Sequence, residues 1–144
     1  GRDFSVTHRR RHQGFLDAAA AAANVCYDIF TILSGSKIEM DTAQGLAYFT
    51  RLIENKQPIA TGILCISDHF ALGVMQAAVE TGVDIPGQVL IGFDDVSFAS
   101  LPKIQLTTIS QPKEEICDAA VRTLEELIHA AEPAPVSCKT IQPV

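Results

Sequence analysis

Two adjacent carboxylates, Asp94 and Asp95, directly follow a short apolar run and offer the clearest chemistry in this sequence. The run Val89-Leu-Ile-Gly-Phe93 comes after a turn at Pro86-Gly87. It is too short for a helix and suits a strand buried on both faces of a parallel sheet. Because ligands bind beyond the carboxyl ends of strands in open α/β sheets, we expect the two acids either to cap a loop or to hold a small polar ligand.

Other polar side chains are predicted at the same edge of the sheet, because on this topology they follow strands and precede helices or loops; they are Arg11, Ser34, Ser36, Ser67 and Asp68. Arg11 offers a planar fork of donors and Asp94 can accept two hydrogen bonds. Such a pair suits the vicinal hydroxyls of a sugar or the edge of a nucleobase. Ser67 and Asp68 are also strong helix N-cap types, so a capping role for Asp68 stands beside ligand contact.

The elements that must position these residues alternate along the chain. Hydrophobic periodicity, capping residues and proline or glycine breaks predict helices over Arg9–Asn24, Thr42–Asn55, Phe70–Thr81 and Lys113–Ala131. Strands are predicted over Tyr27–Leu33, Ile63–Ile66, Val89–Ile91 and Leu106–Ile109, with a loop or short helical turn over Ser97–Pro102. Gly82 is expected as a left-handed C-cap, Asp41 as an N-cap and Pro112 as the first residue of the last helix. This alternation predicts an α/β fold with a doubly wound parallel sheet.

Composition excludes several classes of protein. A chain of 144 residues with 47% hydrophobic residues can bury a core and is not intrinsically disordered. The net charge of −6 makes the chain itself a poor nucleic-acid binder, so DNA contact would need another segment. The longest apolar run, Ala18–Ala23, is far below the roughly 20 residues of a membrane span. Four scattered cysteines without a CxxC pair indicate neither zinc nor a disulfide framework, and they favour a reducing cytoplasm.

No cofactor or catalytic motif is evident. The sequence contains neither a phosphate-cradling GxxxxGK loop nor a GxSxG elbow. The four histidines lack an evident nucleophile partner, and an exposed helical role is expected for His69. Asp94 and Asp95 could hold Mg²⁺ in an enzyme, although no third acid stands at helpful spacing.

Six segments, taken in order and spacing, resemble the effector-binding part of the lactose-repressor/galactose-repressor (LacI/GalR) family of bacterial transcription regulators. They are Arg11-His-Gln-Gly-Phe15, Asp41-Thr-Ala-Gln-Gly45, Ser67-Asp-His-Phe-Ala-Leu-Gly73, Gly82-Val-Asp-Ile-Pro86, Val89-Leu-Ile-Gly-Phe-Asp-Asp95 and Leu106-Thr-Thr-Ile-Ser-Gln-Pro112. The resemblance implies one lobe of a periplasmic-binding-protein-like (type I) fold. It further implies a cytoplasmic, homodimeric regulator in which effector binding between two lobes shifts operator affinity, with DNA bound by a helix-turn-helix domain absent from this chain.

The resemblance also assigns roles to particular positions. Arg11 and Asp94 match the two residues that grip the effector, while Ser67, with Asp68 beside it, occupies a third effector-lining position. A serine at that position departs from the asparagine frequent in relatives. Leu72, Met75, Val79 and Phe98 match the family's dimer surface, although an apolar helix face is more often part of a core.

The same family implies a division of the chain. Residues 1–110 would form the C-terminal lobe, 111–132 a helix that packs on an N-terminal lobe, and 133–144 a truncated return segment. We therefore expect the apolar face of the Lys113–Ala131 helix to be exposed or to dock on another copy. A periplasmic sugar-binding protein of an ABC transporter and a metal-dependent enzyme remain alternative functions.

Overall fold

A computed structural model describes residues 6–22, 42–85, 90–130 and 139–142. Within these ranges the chain forms four helices and three strands. The helices are α1 (Val6–Ala21), α2 (Thr42–Glu54), α3 (Asp68–Thr81) and α4 (Lys113–His129), and the strands are β1 (Ile63–Leu64), β2 (Leu90–Phe93) and β3 (Thr107–Ile109). None of the helices in the described part of the chain has the length and apolar character needed to cross a membrane.

The three strands form a parallel sheet, as the sequence pattern predicts, and their order is β1-β2-β3. Ile63 pairs with Leu90, and Phe93 pairs with Ile109. Strand β2 therefore lies between the other two, and its carboxyl end is flanked by both of theirs. The predicted strand over Tyr27–Leu33 lies outside the described residues.

The core lies where α3 packs on the sheet and α2 packs on α3. Its buried members include Phe49 from α2, Val74 from α3, Leu90 from β2 and Leu106 before β3. Phe49 and Val74 are fully buried, at 0% exposure. Side chains of α3 pack against side chains of the strands, and this packing fixes the position of α3 relative to β2.

Two glycines let α2 and α3 approach closely. A Cβ atom on Gly45 would overlap the carbonyl oxygen of Phe70, and one on Gly73 would overlap the carbonyl oxygen of Thr42. The helix backbones are therefore in direct contact, which explains why glycine stands inside two helices despite its low helix propensity.

Helix α3 has well-formed ends. The Ser67 hydroxyl accepts a hydrogen bond from the Phe70 N–H at 3.2 Å, and Gly82 closes the helix in the left-handed region at φ 70°. The predicted C-cap is thus confirmed, but the predicted start at Phe70 is wrong. The helix begins two residues earlier, at Asp68, because Ser67 is the capping residue.

Other predicted bounds also shift. Helix α1 begins at Val6 rather than Arg9, so the arginines lie inside the helix instead of at its start. Pro112 is the N-cap of α4 and not its first residue, and α4 ends at His129 rather than Ala131. Strands β1 and β3 are shorter than predicted, whereas β2 continues through Phe93. The predicted N-cap Asp41 lies outside the described residues.

The apolar face of α4 is exposed, which is one of the two outcomes expected from the family resemblance. No residue of α4 is buried, and its exposed apolar side chains are Ile116, Val121, Leu124, Leu127 and Ile128. The short segment 139–142 touches the helix through Lys139, whose ammonium donates to the Thr123 hydroxyl at 3.0 Å. That polar contact leaves the apolar stripe uncovered by the described residues.

The contact between α2 and α3 predicts a sharp contrast between two glycine substitutions. Gly45→Ala should lower the free energy of unfolding by about 1–3 kcal/mol, because the added methyl group meets rigid backbone. Gly14→Ala, in α1 with nothing within 4 Å of the new Cβ, should be neutral or stabilise by up to about 1 kcal/mol. Urea denaturation of both variants measures the difference. Equal stability of the two would show that the helices are not in backbone contact.

Candidate functional site

The carboxyl end of β2 leads into an unusual turn. Asp94 has φ 111° and Asp95 has φ 50°, so two successive non-glycine residues lie in the positive-φ region. The Asp94 N–H still donates to the Ile109 carbonyl at 3.0 Å, which extends the pairing with β3 by one bond. Positive φ costs such residues of order 1–3 kcal/mol each, and conformations of this kind concentrate at functional sites. The turn aims the Asp94 side chain at the strand ends on either side.

Arg11 reaches this turn from helix α1. Its guanidinium donates from Nη2 to Asp94 Oδ1 at 2.9 Å and from Nη1 to the Ile66 carbonyl at 2.6 Å. The same group lies 3.7 Å from the centre of the Phe93 ring, in a cation–π contact. The structure thus brings together the two residues that the sequence singled out, and it ties α1 to the ends of β1 and β2.

Gln111 completes the cluster and was missed by the sequence analysis. Its side-chain amide donates from Nε2 to Asp94 Oδ1 at 2.5 Å. Its place just beyond β3, at the same sheet edge as Asp94, is a signal for this role, but the Gln111-Pro112 pair predicts a helix start. Asp94 Oδ1 therefore accepts two hydrogen bonds, whereas Asp94 Oδ2 receives none from any residue that the structure describes.

Asp95 has a different role from Asp94. Its carboxylate accepts a hydrogen bond from the Ser110 hydroxyl at 2.7 Å, and its backbone carbonyl accepts one from the Lys113 ammonium at 2.6 Å. Both partners belong to the segment that leads from β3 into α4. Asp95 therefore anchors the turn to the start of α4 instead of sharing the Arg11 contact.

Ser67 and Asp68 are not drawn into the Arg11–Asp94 contact. Ser67 is half-buried at the α3 N-terminus, and Asp68 is fully buried at 0% exposure. Asp68 Oδ2 accepts from the Val96 N–H at 2.9 Å, and Asp68 Oδ1 accepts from the Thr108 hydroxyl at 2.5 Å. Both oxygens are thus bonded inside the protein, beneath the turn. The other candidates, Ser34 and Ser36, lie outside the described residues.

The residues predicted at a dimer surface differ in exposure. Val79 is 81% exposed, an unusually high value for an apolar side chain. Leu72, Met75 and Phe98 are half-buried; Met75 packs against the core, and Phe98 contacts the His69 ring edge-on with centroids 5.2 Å apart. Val79 thus has the most accessible apolar side chain of the four.

The pKa of one buried side chain, the Cys65 thiol, is strongly raised. Burial, with a smaller effect from the negative charge of Asp68, raises the pKa of the Cys65 thiol from 9.0 to about 12. Cys65 is therefore a neutral, inert thiol at physiological pH. Among the residues that the structure describes, no three His, Cys, Asp or Glu side chains are grouped so that they could hold a metal ion.

The cluster has the chemistry of a site for a neutral polar ligand. The Asp94 carboxylate is balanced by the Arg11 guanidinium, so the pair adds little net charge. It presents an oriented acceptor, Asp94 Oδ2, beside the donors of Arg11 and Gln111. Side-chain exposures of 17% for Arg11 and 29% for Asp94 leave the pair partly accessible. A ligand hydroxyl can donate to the carboxylate there in a hydrogen bond strengthened by its charge.

Comparison with known proteins places these observations in a family context. The model of the periplasmic binding protein-like domain matches residues 1–144. An uncharacterised HTH-type transcriptional regulator in the aml 5′ region of Streptomyces limosus is 34% identical over 140 residues, covering 90% of this chain and 36% of the relative. The HTH-type transcriptional repressor PurR of Aliivibrio fischeri is 30% identical over 129 residues, covering 89% of this chain and 37% of the relative.

A solved structure is similar along the entire chain. It is a LacI family transcriptional regulator from Lactobacillus casei with bound sucrose, with a TM-score of 0.68 and 25% sequence identity; the match covers 100% of this chain and 50% of that one. The LacI/GalR resemblance predicted from the six segments is thereby confirmed. The chain spans about a third of the length of the curated relatives it matches.

The raised pKa of Cys65 predicts selective alkylation. With iodoacetamide at about pH 8.5, the exposed Cys117 should react in the folded protein while Cys65 should not, because only the thiolate is nucleophilic. Urea should make Cys65 reactive, which mass spectrometry of the tryptic peptides would detect. The stability contributed by the neutral thiol should be complete below pH 9 and lost as the pH rises towards 12. Equal alkylation of both cysteines in the folded protein would contradict this placement.

Proposed function

This chain belongs to the periplasmic binding protein-like domain family, and we propose that it is the small-molecule sensing part of a DNA-binding transcription regulator of the LacI/GalR type. The observation that carries the proposal is the cluster of Arg11, Asp94 and Gln111 at the carboxyl end of β2. Ligands of open α/β folds bind at that edge. The matched relatives are named as regulators, which supports the regulatory part of the proposal.

The effector that fits the cluster is a neutral, hydroxyl-rich molecule such as a sugar. Asp94 Oδ2 accepts from one ligand hydroxyl, and the guanidinium and amide donate to neighbouring ligand oxygens. A phosphorylated ligand fits less well, because Arg11 is already engaged by Asp94 and by the Ile66 carbonyl. The L. casei regulator, whose structure holds sucrose, is a precedent for this ligand class on the same fold.

Regulation would follow from differential binding. An effector that binds one arrangement of the two lobes more tightly shifts the population towards it, and the free energy of that shift is available to change operator affinity. In this proposal residues 1–110 are the C-terminal lobe, 111–132 contribute a helix to the other lobe, and 133–144 lead back. The complete protein is a cytoplasmic homodimer without catalytic activity or cofactor, and it binds DNA through a separate domain.

A thermal-shift screen with the complete protein tests the effector site. Ribose, sucrose and maltose serve as neutral probes, and glucose 6-phosphate serves as the anionic one. A sugar at 100 times its Kd should stabilise the folded state by about 2.7 kcal/mol, which corresponds to several degrees in Tm. Asp94→Ala should abolish the shift, because it removes the acceptor and releases Arg11 and Gln111.

Asp84→Ala is the matched control, because Asp84 is an exposed acid that comes before β2, whereas Asp94 follows β2. It should retain the wild-type shift. A shift that survives Asp94→Ala, or a phosphate ester that outcompetes the neutral sugars, would contradict the proposed site.

The dimer surface has its own test. Val79→Arg places a charge where an 81% exposed apolar side chain would be buried between subunits, so it should raise the dimer dissociation constant at least tenfold. Sedimentation equilibrium of the complete protein measures this. Arg51→Glu, a charge reversal on the exposed face of α2, should leave the dimer intact. If the Val79→Arg protein dimerised normally, α3 would not be part of the dimer interface.

A further inference from the structure

Asp68 is a buried carboxylate that the proposed effector contacts do not use. It is 0% exposed in the first turn of α3, where the positive end of the helix dipole favours a negative charge. A buried charge is costly unless it is hydrogen-bonded, and here each oxygen receives one hydrogen bond. These two hydrogen bonds offset the cost of burying Asp68, although Asp68 is not one of the proposed ligand contacts.

The partners of Asp68 lie on both sides of the turn that carries Asp94. Asp68 Oδ2 holds the Val96 N–H at 2.9 Å, and Asp68 Oδ1 holds the Thr108 hydroxyl at 2.5 Å. Thr108 Oγ1 in turn accepts from the Asp95 N–H at 3.4 Å. The backbone N–H groups of the two residues after Asp94 are thus fixed to α3 and β3 through one carboxylate.

Gly92 makes this arrangement possible. A Cβ atom at Gly92 would overlap Asp68 Oδ1, so only glycine in β2 lets the carboxylate pass beneath the strand and reach Thr108. The glycine in the middle of an otherwise apolar strand therefore serves a close approach rather than a bend.

We propose that Asp68 is a positioning residue for the effector site. Through Val96 and Thr108 it holds the positive-φ turn so that the Asp94 carboxylate points at Arg11 and Gln111. The inference rests on the proposed function in taking Asp94 as the ligand acceptor. Positive φ at Asp94 and Asp95 is unfavourable without such restraints, so losing them lets the turn relax and moves the carboxylate. Two hydrogen bonds of 2.9 and 2.5 Å cannot survive a displacement of an ångström or more.

Thr108 offers the cleanest substitutions, because it touches Asp68 and Asp95 but is not among the proposed ligand contacts. Thr108→Val keeps the shape and removes the hydroxyl, while Thr108→Ser keeps the hydroxyl. Asp68→Asn is a second disruptive variant, since an amide has only one acceptor oxygen for two donors. Leu52→Val, in the α2 core, is the control for a loss of stability without any link to the turn.

The affinity arm uses the complete protein, with ribose and sucrose as the probes in titration calorimetry. Thr108→Val and Asp68→Asn should weaken sugar binding at least tenfold, Thr108→Ser less than threefold, and Leu52→Val not at all despite a lower Tm. Wild-type affinity in Thr108→Val would overturn the proposal. So would an equal loss in Leu52→Val, because the effect would then follow stability alone.

A ligand-free arm separates this proposal from the proposed function. The crystal structure of the complete Thr108→Val protein should show the Arg11 Nη2–Asp94 Oδ1 contact opened from 2.9 Å to beyond 4 Å, while Thr108→Ser retains it. Should neither sugar bind the wild type, the effector class fails but this comparison still decides the positioning role. A turn that keeps the same conformation and the same contact in Thr108→Val would overturn it.

Discussion

The parallel pairing of β1, β2 and β3 is the constraint on which the site depends. Because all three strands run in the same direction, their carboxyl ends meet at one edge, with β2 in the middle. The residues after β1 supply the Ile66 carbonyl that holds Arg11, and the residues after β3 supply Gln111. Asp94 follows β2 and is reached from both sides. An antiparallel β3 would carry Gln111 to the opposite edge and leave Asp94 with Arg11 alone.

The turn at Asp94 and Asp95 shows how a strained conformation is held. Two positive φ values cost of order 1–3 kcal/mol each. Hydrogen bonds to charged groups contribute about 1.5–3 kcal/mol each, and Asp68 and Asp94 make four of them at this turn. The hydrogen bonds together contribute more than the two positive φ values cost, so they are sufficient to hold the turn.

The sequence predicts the fold better than the contacts within the site. The parallel sheet and the Gly82 cap follow from patterns that depend on neighbouring residues, and both are present. The exposed face of α4 is one of the two outcomes expected from the family resemblance. The sequence also predicts Arg11 at the same sheet edge as Asp94, and the two do meet, but Arg11 reaches Asp94 from within α1 and not from a strand end. Predicted bounds fail by a few residues where capping decides them, as at Ser67, because several adjacent residues are competent caps.

Three-dimensional details of the site were beyond the sequence pattern. Gln111 looked like part of a helix start because the following proline dominates the local signal, whereas its amide reaches back to Asp94. The sequence predicts a capping role or ligand contact for Asp68, whereas the structure buries it. Only the close approach past Gly92 shows that its oxygens face Thr108 and Val96, and no periodicity encodes an approach between distant segments.

The most direct test of the central claim is a crystal structure of the complete protein with the neutral sugar that stabilises it most. We expect a sugar hydroxyl within hydrogen-bond distance of Asp94 Oδ2, which accepts no hydrogen bond from any described residue. We also expect Arg11 or Gln111 within hydrogen-bond distance of a second sugar oxygen. A sugar bound elsewhere, with the Asp94 contacts unchanged, would contradict the claim that this sheet edge is the sensing site.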